Sequence, residues 1–208
     1  MPTLLAIKTS LFSSDGESSK LADRYVAHWL RAHPQGRVVT RDLARDPIPH
    51  LTAERFLAFS TKPGERTLEQ QAVVEFSDAL IAELRAADEI VLAVPTYNFG
   101  IPSTLKAYFD HIARAGVTFG YTENGPVGLI TGKKVHIVAA RGGFYAGTPL
   151  DTVTSYVRDF LNFIGLTDID FVYAEGLAIS PTQQQASLAE AERAIAQSIS
   201  QHTFEAVA

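Results

Sequence analysis

Apolar residues along the chain form two recurring patterns, short unbroken runs and longer stretches with a helical period, and the two alternate. Thr3-Leu4-Leu5-Ala6-Ile7-Lys8-Thr9 is the first run and predicts a short strand. After a serine-rich polar loop at residues 10–20, Leu21, Tyr25, Trp29 and His33 share one stripe with Ala22 and Val26 beside them. That spacing predicts a helix packed on a sheet by this face. Pro34-Gln35-Gly36 ends it, and residues 37–41, Arg-Val-Val-Thr-Arg, are too mixed for a central position and predict an edge strand. Residues 42–66, with Pro47, Pro49 and Pro63, predict a surface excursion holding a helical turn near 54–59. Residues 68–86 return to helical spacing, with Val73, Phe76, Leu80 and Leu84 as the expected buried stripe.

The run Ile90-Val91-Leu92-Ala93-Val94, set between Asp88-Glu89 and Pro95, has no helical period and predicts a strand buried on both faces. A helix is expected over 103–115, buried through Leu105, Tyr108, Phe109 and Ile112. Residues 116–132 read as a second excursion, in which turn residues alternate with exposed aromatics, Phe119 and Tyr121. A strand at 135–140, a helix from about 150 to 165, a strand at 169–174 and a helix from 182 to about 200 complete the pattern. Strands and helices alternating in this way require a parallel sheet with helices on both faces, because parallel neighbours need crossover connections. With 208 residues and no repeat or linker, the expectation is one α/β domain spanning 1–208.

Composition narrows the partners. The chain has 18 Lys plus Arg against 23 Asp plus Glu, a formal charge of -5, and no basic run to track a phosphate backbone, so nucleic acid is not expected. No segment is apolar enough to span a bilayer and no signal-peptide pattern follows Met1-Pro2, which makes the cytoplasm the expected location. Absence of cysteine excludes disulfides, thiolate catalysis and cysteine-ligated metals. His28, His33, His50, His111, His136 and His202 lack the i, i+4 pairing of a metal site, so no metal is expected.

In open parallel sheets ligands bind beyond the carboxyl ends of the strands. The loop after the first strand carries neither G-x-G-x-x-G nor a P-loop, and Lys8-Thr9-Ser10 lacks the paired acids of a phospho-acceptor domain. It offers Ser10, Ser13, Ser14, Gly16, Ser18 and Ser19 running into a helix amino end. Such a loop either caps its helix in the ordinary way or binds a monophosphate through hydroxyls, amides and the helix dipole, each worth roughly 0.3 to 1 kcal/mol. After the central strand, Tyr97, Asn98 and Phe99 look too large for a tight turn; either the two aromatic rings pack inward or a flat aromatic ligand rests on these residues. After the fourth strand stands Arg141-Gly142-Gly143, where glycine lets the backbone approach a ring. Arg141 admits two readings, a cation stabilising an anionic reduced ring or a salt bridge bracing the loop. A phosphate tail with a flat heterocyclic head describes flavin mononucleotide, and Asn98 can donate and accept at a pyrimidine edge.

Taken together, Pro-x-Tyr-Asn-Phe at 95–99, Arg-Gly-Gly at 141–143, Ala113-Arg114-Ala115-Gly116-Val117-Thr118-Phe119, Tyr121-Thr122-Glu123-Asn124-Gly125-Pro126 and Phe163-Ile164-Gly165 resemble the FMN-dependent NADH azoreductases, a branch of the flavodoxin-like quinone reductases. The resemblance covers nearly the whole chain. It implies a flavodoxin-like five-stranded parallel sheet of order 2-1-3-4-5, a homodimer with FMN sites at the interface, and ping-pong transfer of electrons from NADH, or NADPH, through FMN to quinones or azo compounds. By position it implies phosphate contacts at Ser10, Gly16, Glu17 and Ser18, and ring contacts at Thr96, Tyr97, Asn98, Phe99, Ala140, Arg141, Gly142 and Gly143. It also implies that Tyr121 and Phe163 face the substrate over the flavin. Where the family commonly has Ser-Gln-Ser this chain has Gly16-Glu17-Ser18, so Glu17 must point away from the phosphate; Thr96 and Ala140 replace the usual Met and Ser. The cofactor carries the chemistry, and no catalytic side chain is assigned. The alternatives are a flavodoxin-like FMN electron carrier that turns over no small substrate, and a sensor or scaffold that has lost the flavin.

Overall fold

A computed structural model describes residues 1–205, with side-chain surroundings as far as residue 199; the last three residues of the expected domain lie outside the described residues. Five strands, β1 (Thr3–Lys8), β2 (Arg37–Asp42), β3 (Glu89–Pro95), β6 (Lys134–Ala140) and β7 (Asp168–Ala174), form one sheet of order β2-β1-β3-β6-β7. Every pairing in it is parallel. Numbered within the sheet alone this is 2-1-3-4-5, a flavodoxin-like order. The remaining strands, β4 (Phe119–Thr122) and β5 (Gly125–Gly128), form a separate antiparallel hairpin.

Side-chain alternation assigns the helices to faces. Leu4, Ala6, Val91, Ala93, Val138 and Val172 share a core with Leu21, Tyr25 and Trp29 of α1 (Glu17–Ala32) and Ala191 and Ile195 of α6 (Pro181–Glu205). Leu5, Ile7, Ile90, Leu92, Val135 and Ile137 face α3 (Leu68–Ala86), α4 (Ser103–Ile112) and α5 (Thr152–Ile164). Both faces being covered is why β1 and β3 read as unbroken apolar runs, each fully buried Leu or Ile contributing about 1.5 to 3 kcal/mol. Helix ends follow local chemistry. Thr67 and Gln70 close a capping box on α3. Asp151 caps α5, and Gly165, at φ 103°, ends it in the left-handed conformation. Among the described residues no helix is long and apolar enough to cross a membrane.

Four expectations need correction. The turn near 54–59 is a full helix, α2 (Ala53–Ser60), capped by the Thr52 hydroxyl. The buried stripe of α3 is Val74, Ser77, Leu80, Ile81 and Leu84 rather than one through Val73 and Phe76, and Phe76 is exposed. A polar residue faces inward there because the Ser77 hydroxyl donates to the His111 carbonyl at 2.6 Å and accepts from Arg114 at 2.8 Å. The excursion at 116–132 contains the β4–β5 hairpin, whose turn falls at Glu123-Asn124. Phe119 is buried, packed on Phe163 with ring centroids 4.3 Å apart, while Tyr121 stays 75% exposed.

Candidate functional site

Chain order departs from spatial order at β1, which pairs with β2 on one side and β3 on the other, so a crevice opens beyond the carboxyl ends of these strands. A cavity of about 250 Å³ lies there, lined by Ser10, Gly16, Glu17, Ser18, Thr96, Tyr97, Ala140, Arg141 and Gly142 of the expected set, together with Phe12, Asp15, Pro95 and Leu177. Sequence reasoning missed the last four. Phe12 and Asp15 lie inside the serine-rich loop and Pro95 inside the motif, but nothing local marks Leu177, which folds back from beyond β7. A larger cavity of about 700 Å³, beside α3 and Arg114, is lined by none of the loops that leave β1, β3 or β6 at their carboxyl ends.

The first loop is arranged around Ser10. Its hydroxyl lies 3.2 Å from the Tyr97 hydroxyl and accepts from the Phe12 amide at 3.2 Å. No side chain caps α1, so the amides of Glu17, Ser18 and Ser19 keep no protein acceptor among the described residues. Ser18 Oγ and Ser19 Oγ are buried without a partner. Ordinary capping is therefore not what this loop does. The Glu17 carboxylate is paired with Lys20 at 2.9 Å along the helix, although Glu17 itself lines the cavity.

After β3 the chain does make a tight turn, contrary to the expectation drawn from residue size. The Tyr97 amide donates to the Gly100 carbonyl at 3.0 Å and the Gly100 amide to the Tyr97 carbonyl at 2.9 Å. Asn98 and Phe99 at its tip have φ of 50° and 61°. Their bulk meets no packing limit because both are exposed. What the turn costs is left-handed backbone, about 1 to 3 kcal/mol at a residue such as Phe99. Its position is held by the Thr152 hydroxyl, which donates to the Phe99 carbonyl, and by an edge contact of Phe99 on Tyr145 at 5.7 Å. Phe99 also walls a neighbouring cavity of about 370 Å³ with Ile101, Lys106 and Tyr156. Thr96 Oγ1 is buried without a partner.

After β6, the carbonyls of Arg141, Gly142 and Gly143 accept from the amides of Leu177, Ala178 and Gly176 at 3.1, 3.0 and 3.0 Å. The amides of Gly142 and Gly143 have no acceptor among the described residues. The Arg141 side chain is 1% exposed and lies 2.9 Å from Asp151 and 3.2 Å from Glu175, with its guanidinium over the Tyr173 ring. Of its two readings, bracing holds for the side chain. Burial raises the Asp151 carboxyl's pKa, but Arg141 and the Thr154 amide and hydroxyl outweigh it and hold the group below its ordinary value. Tyr121 and Phe163 sit together with Phe119, outside both cavities just described.

Partnerless hydroxyls at Ser18 and Thr96, an uncapped helix end and the open Gly142 amide around one cavity suit a ligand with a phosphate and a flat, hydrogen-bonding ring, while Asn98 and Gly143 of the expected set stand outside its lining. A family model described as flavodoxin-like fold matches residues 2–199. An FMN-dependent NADH:quinone oxidoreductase of Cellvibrio japonicus is 60% identical over 96% of this chain and 99% of that protein. FMN-dependent NADH:quinone oxidoreductase 6 of Burkholderia lata is 56% identical over 94% and 99%. Among solved structures, an azoreductase from Bacillus anthracis superposes with a TM-score of 0.88 at 30% identity, over 96% of this chain and 99% of that one. An FMN-dependent NADH-azoreductase of the same species, solved in complex with FMN, gives 0.84 at 28% identity over 95% and 99%. The chain therefore belongs to the flavodoxin-like fold family, in the branch of the FMN-dependent NADH:quinone oxidoreductases and azoreductases.

Proposed function

We propose that this chain is an FMN-dependent NADH:quinone oxidoreductase that also reduces azo compounds, working as a cytoplasmic homodimer of single-domain subunits. The observation that carries the reading is Ser18 Oγ, buried and partnerless at an uncapped helix end, in the same cavity as Thr96 and the open Gly142 amide. Unsatisfied groups of this kind cost about 1 to 3 kcal/mol each and persist where a ligand completes them. Ser10, Ser18 and the first amides of α1 would hold the phosphate. Backbone at Thr96 to Phe99 and at Gly142 and Gly143 would orient the ring, with Asn98 at its polar edge. Bound FMN would supply two-electron chemistry between the nicotinamide nucleotide and the quinone. The protein's part is to fix that ring and exclude water, and no side chain is assigned as acid or base.

Tyr121 and Phe163 suit the substrate role only across a dimer, since neither lines the cavity of its own chain. Phe12, 67% exposed, and Phe99, 55% exposed, stand on the loops at the carboxyl ends of the strands, and Tyr121, 75% exposed, stands on the β4–β5 hairpin; a second copy would cover such rings. The electron-carrier alternative is disfavoured by the names of relatives at 60% and 56% identity, both oxidoreductases of quinones. An anaerobic titration of FMN-loaded protein with NADH, then with a quinone, tests the reading. The visible flavin band should bleach and return. A band that stays oxidised with both NADH and NADPH would assign the chain to the carrier class, and failure to bind FMN would remove both.

A further inference from the structure

Glu175 stands one residue beyond β7, outside the motifs that the resemblance rests on. One of its oxygens, Oε1, accepts three hydrogen bonds: from Arg141 Nη1 at 3.2 Å, the Tyr145 amide at 2.8 Å and the Ala146 amide at 2.9 Å. Its own amide donates to Ser187 Oγ of α6 at 2.9 Å, so the carboxylate hangs from a position fixed on both sides. The segment after Gly143 thus wraps around this carboxylate, while the carbonyls of Arg141 to Gly143 are taken by the amides at 176–178. With those carbonyls bound on one side and the Tyr145 and Ala146 amides on Glu175, the amides of Gly142, Gly143 and Phe144 keep no acceptor among the described residues, and of these three residues Gly142 lines the cavity.

Charge adds a second effect. Two carboxylates, Asp151 and Glu175, surround the single Arg141 guanidinium, with side-chain exposures of 8%, 15% and 1%. The buried cluster therefore holds one negative charge in excess beside the backbone that meets the ring, where low dielectric makes it felt.

Resting on the FMN reading above, we propose that Glu175 is the positioning residue of the flavin-ring loop, holding the Gly142 and Gly143 amides toward the ring and, with Asp151, overcompensating Arg141 so that reduction of the ring is disfavoured. The test compares FMN-loaded wild type with Glu175→Gln and Asp151→Asn, measuring FMN affinity by fluorescence titration and the two-electron potential by equilibration with a reference dye. Glu175→Gln should weaken FMN binding about tenfold, the loss expected when charged hydrogen bonds become neutral. It should also shift the equilibrium toward reduced flavin about tenfold, ~30 mV for two electrons. Asp151→Asn keeps the helix cap and holds no loop amide, so it should move the potential in the same direction and leave FMN affinity within about twofold.

Unchanged affinity and potential in Glu175→Gln would overturn the proposal, as would a potential that falls. If that variant does not fold, by circular dichroism, Glu175→Asp replaces it. The charge stays but the reach to Tyr145 and Ala146 shortens, so affinity should drop without a shift in potential, and unchanged affinity there overturns the proposal. Wild-type protein that takes up no FMN would sink the FMN reading itself, a separate outcome seen before any variant is made.

Discussion

Gly16 lies so close to Ser10 that a Cβ built on it would stand 2.6 Å from Ser10 Cβ and 2.0 Å from Ser10 Oγ. A serine at this position, the residue expected from the resemblance, therefore cannot be accommodated here unless Ser10 moves. Gly16→Ser should displace Ser10 and cost about 1 to 3 kcal/mol, the usual penalty of overpacking. Denaturant titration without FMN checks the stability, and FMN affinity should fall with it. A variant as stable as wild type that binds FMN more tightly would show that the contact yields easily.

Ser18 separates folding from binding. Because its hydroxyl is buried without a partner, Ser18→Ala should leave the FMN-free protein as stable or more stable by about 1 kcal/mol, while weakening FMN binding about tenfold. Thermal melting with and without FMN reads both effects. A loss of stability in the absence of FMN would mean the hydroxyl has a structural partner.

Asn98 sits at φ 50°, a conformation glycine adopts without steric cost. Asn98→Gly should keep the Tyr97–Gly100 turn, with stability within about 0.5 kcal/mol of wild type. FMN affinity should fall three- to tenfold, the range of about one hydrogen bond. Asn98→Val, β-branched where φ must be positive, should instead destabilise by about 1 to 3 kcal/mol. Equal stability of the two variants would argue against the strained turn.

His136 on β6 lies between carboxylates of both neighbouring strands, Nδ1 2.8 Å from Asp170 and Nε2 3.6 Å from Glu89, with the Tyr25 ring tilted against it at 4.6 Å. The Trp29 indole and Tyr25 hydroxyl donate to Glu89, and the Ser198 hydroxyl to Asp170. Burial pulls the imidazole pKa down, but the two carboxylates outweigh it and raise it above 6.5. Burial likewise pushes Glu89 and Asp170 up, and His136 and their other partners hold them below 4.5 and 3.8. A raised group stabilises fully below its unfolded value and loses this as pH climbs through the folded one; depressed carboxylates lose theirs as pH falls through their folded values. His136→Gln should therefore cost about 2 kcal/mol near pH 6 and markedly less near pH 9 by urea unfolding. A cost that grows with pH would contradict the ion cluster.

Much of the fold was readable because its signals are local. Ile90 to Val94 could only be a doubly covered strand, and Leu21, Tyr25 and Trp29 could only be one helical face. The hairpin at 119–128 escaped although Asn124-Gly125 marks a turn, because four-residue strands carry too little alternation to stand out. Ser77 escaped as an inward residue because its partners, His111 and Arg114, arrive from α4 and the segment just after it.

The amino-acid sequence by itself determined the alternation of strands and helices, the parallel sheet it requires, and the loops at which a ligand would be met, since run length, helical period and loop composition are properties of neighbours along the chain. Only the tertiary structure decided that Arg141 turns away to Asp151 and Glu175, that Gly142 and Gly143 keep open amides, that Ser18 is left without a partner, and that Tyr121 stands apart from its own chain's cavity. Each of these depends on which distant segments become neighbours once the sheet forms, and a hydrogen bond between residues 34 positions apart, such as Arg141 to Glu175, leaves no trace in local spacing.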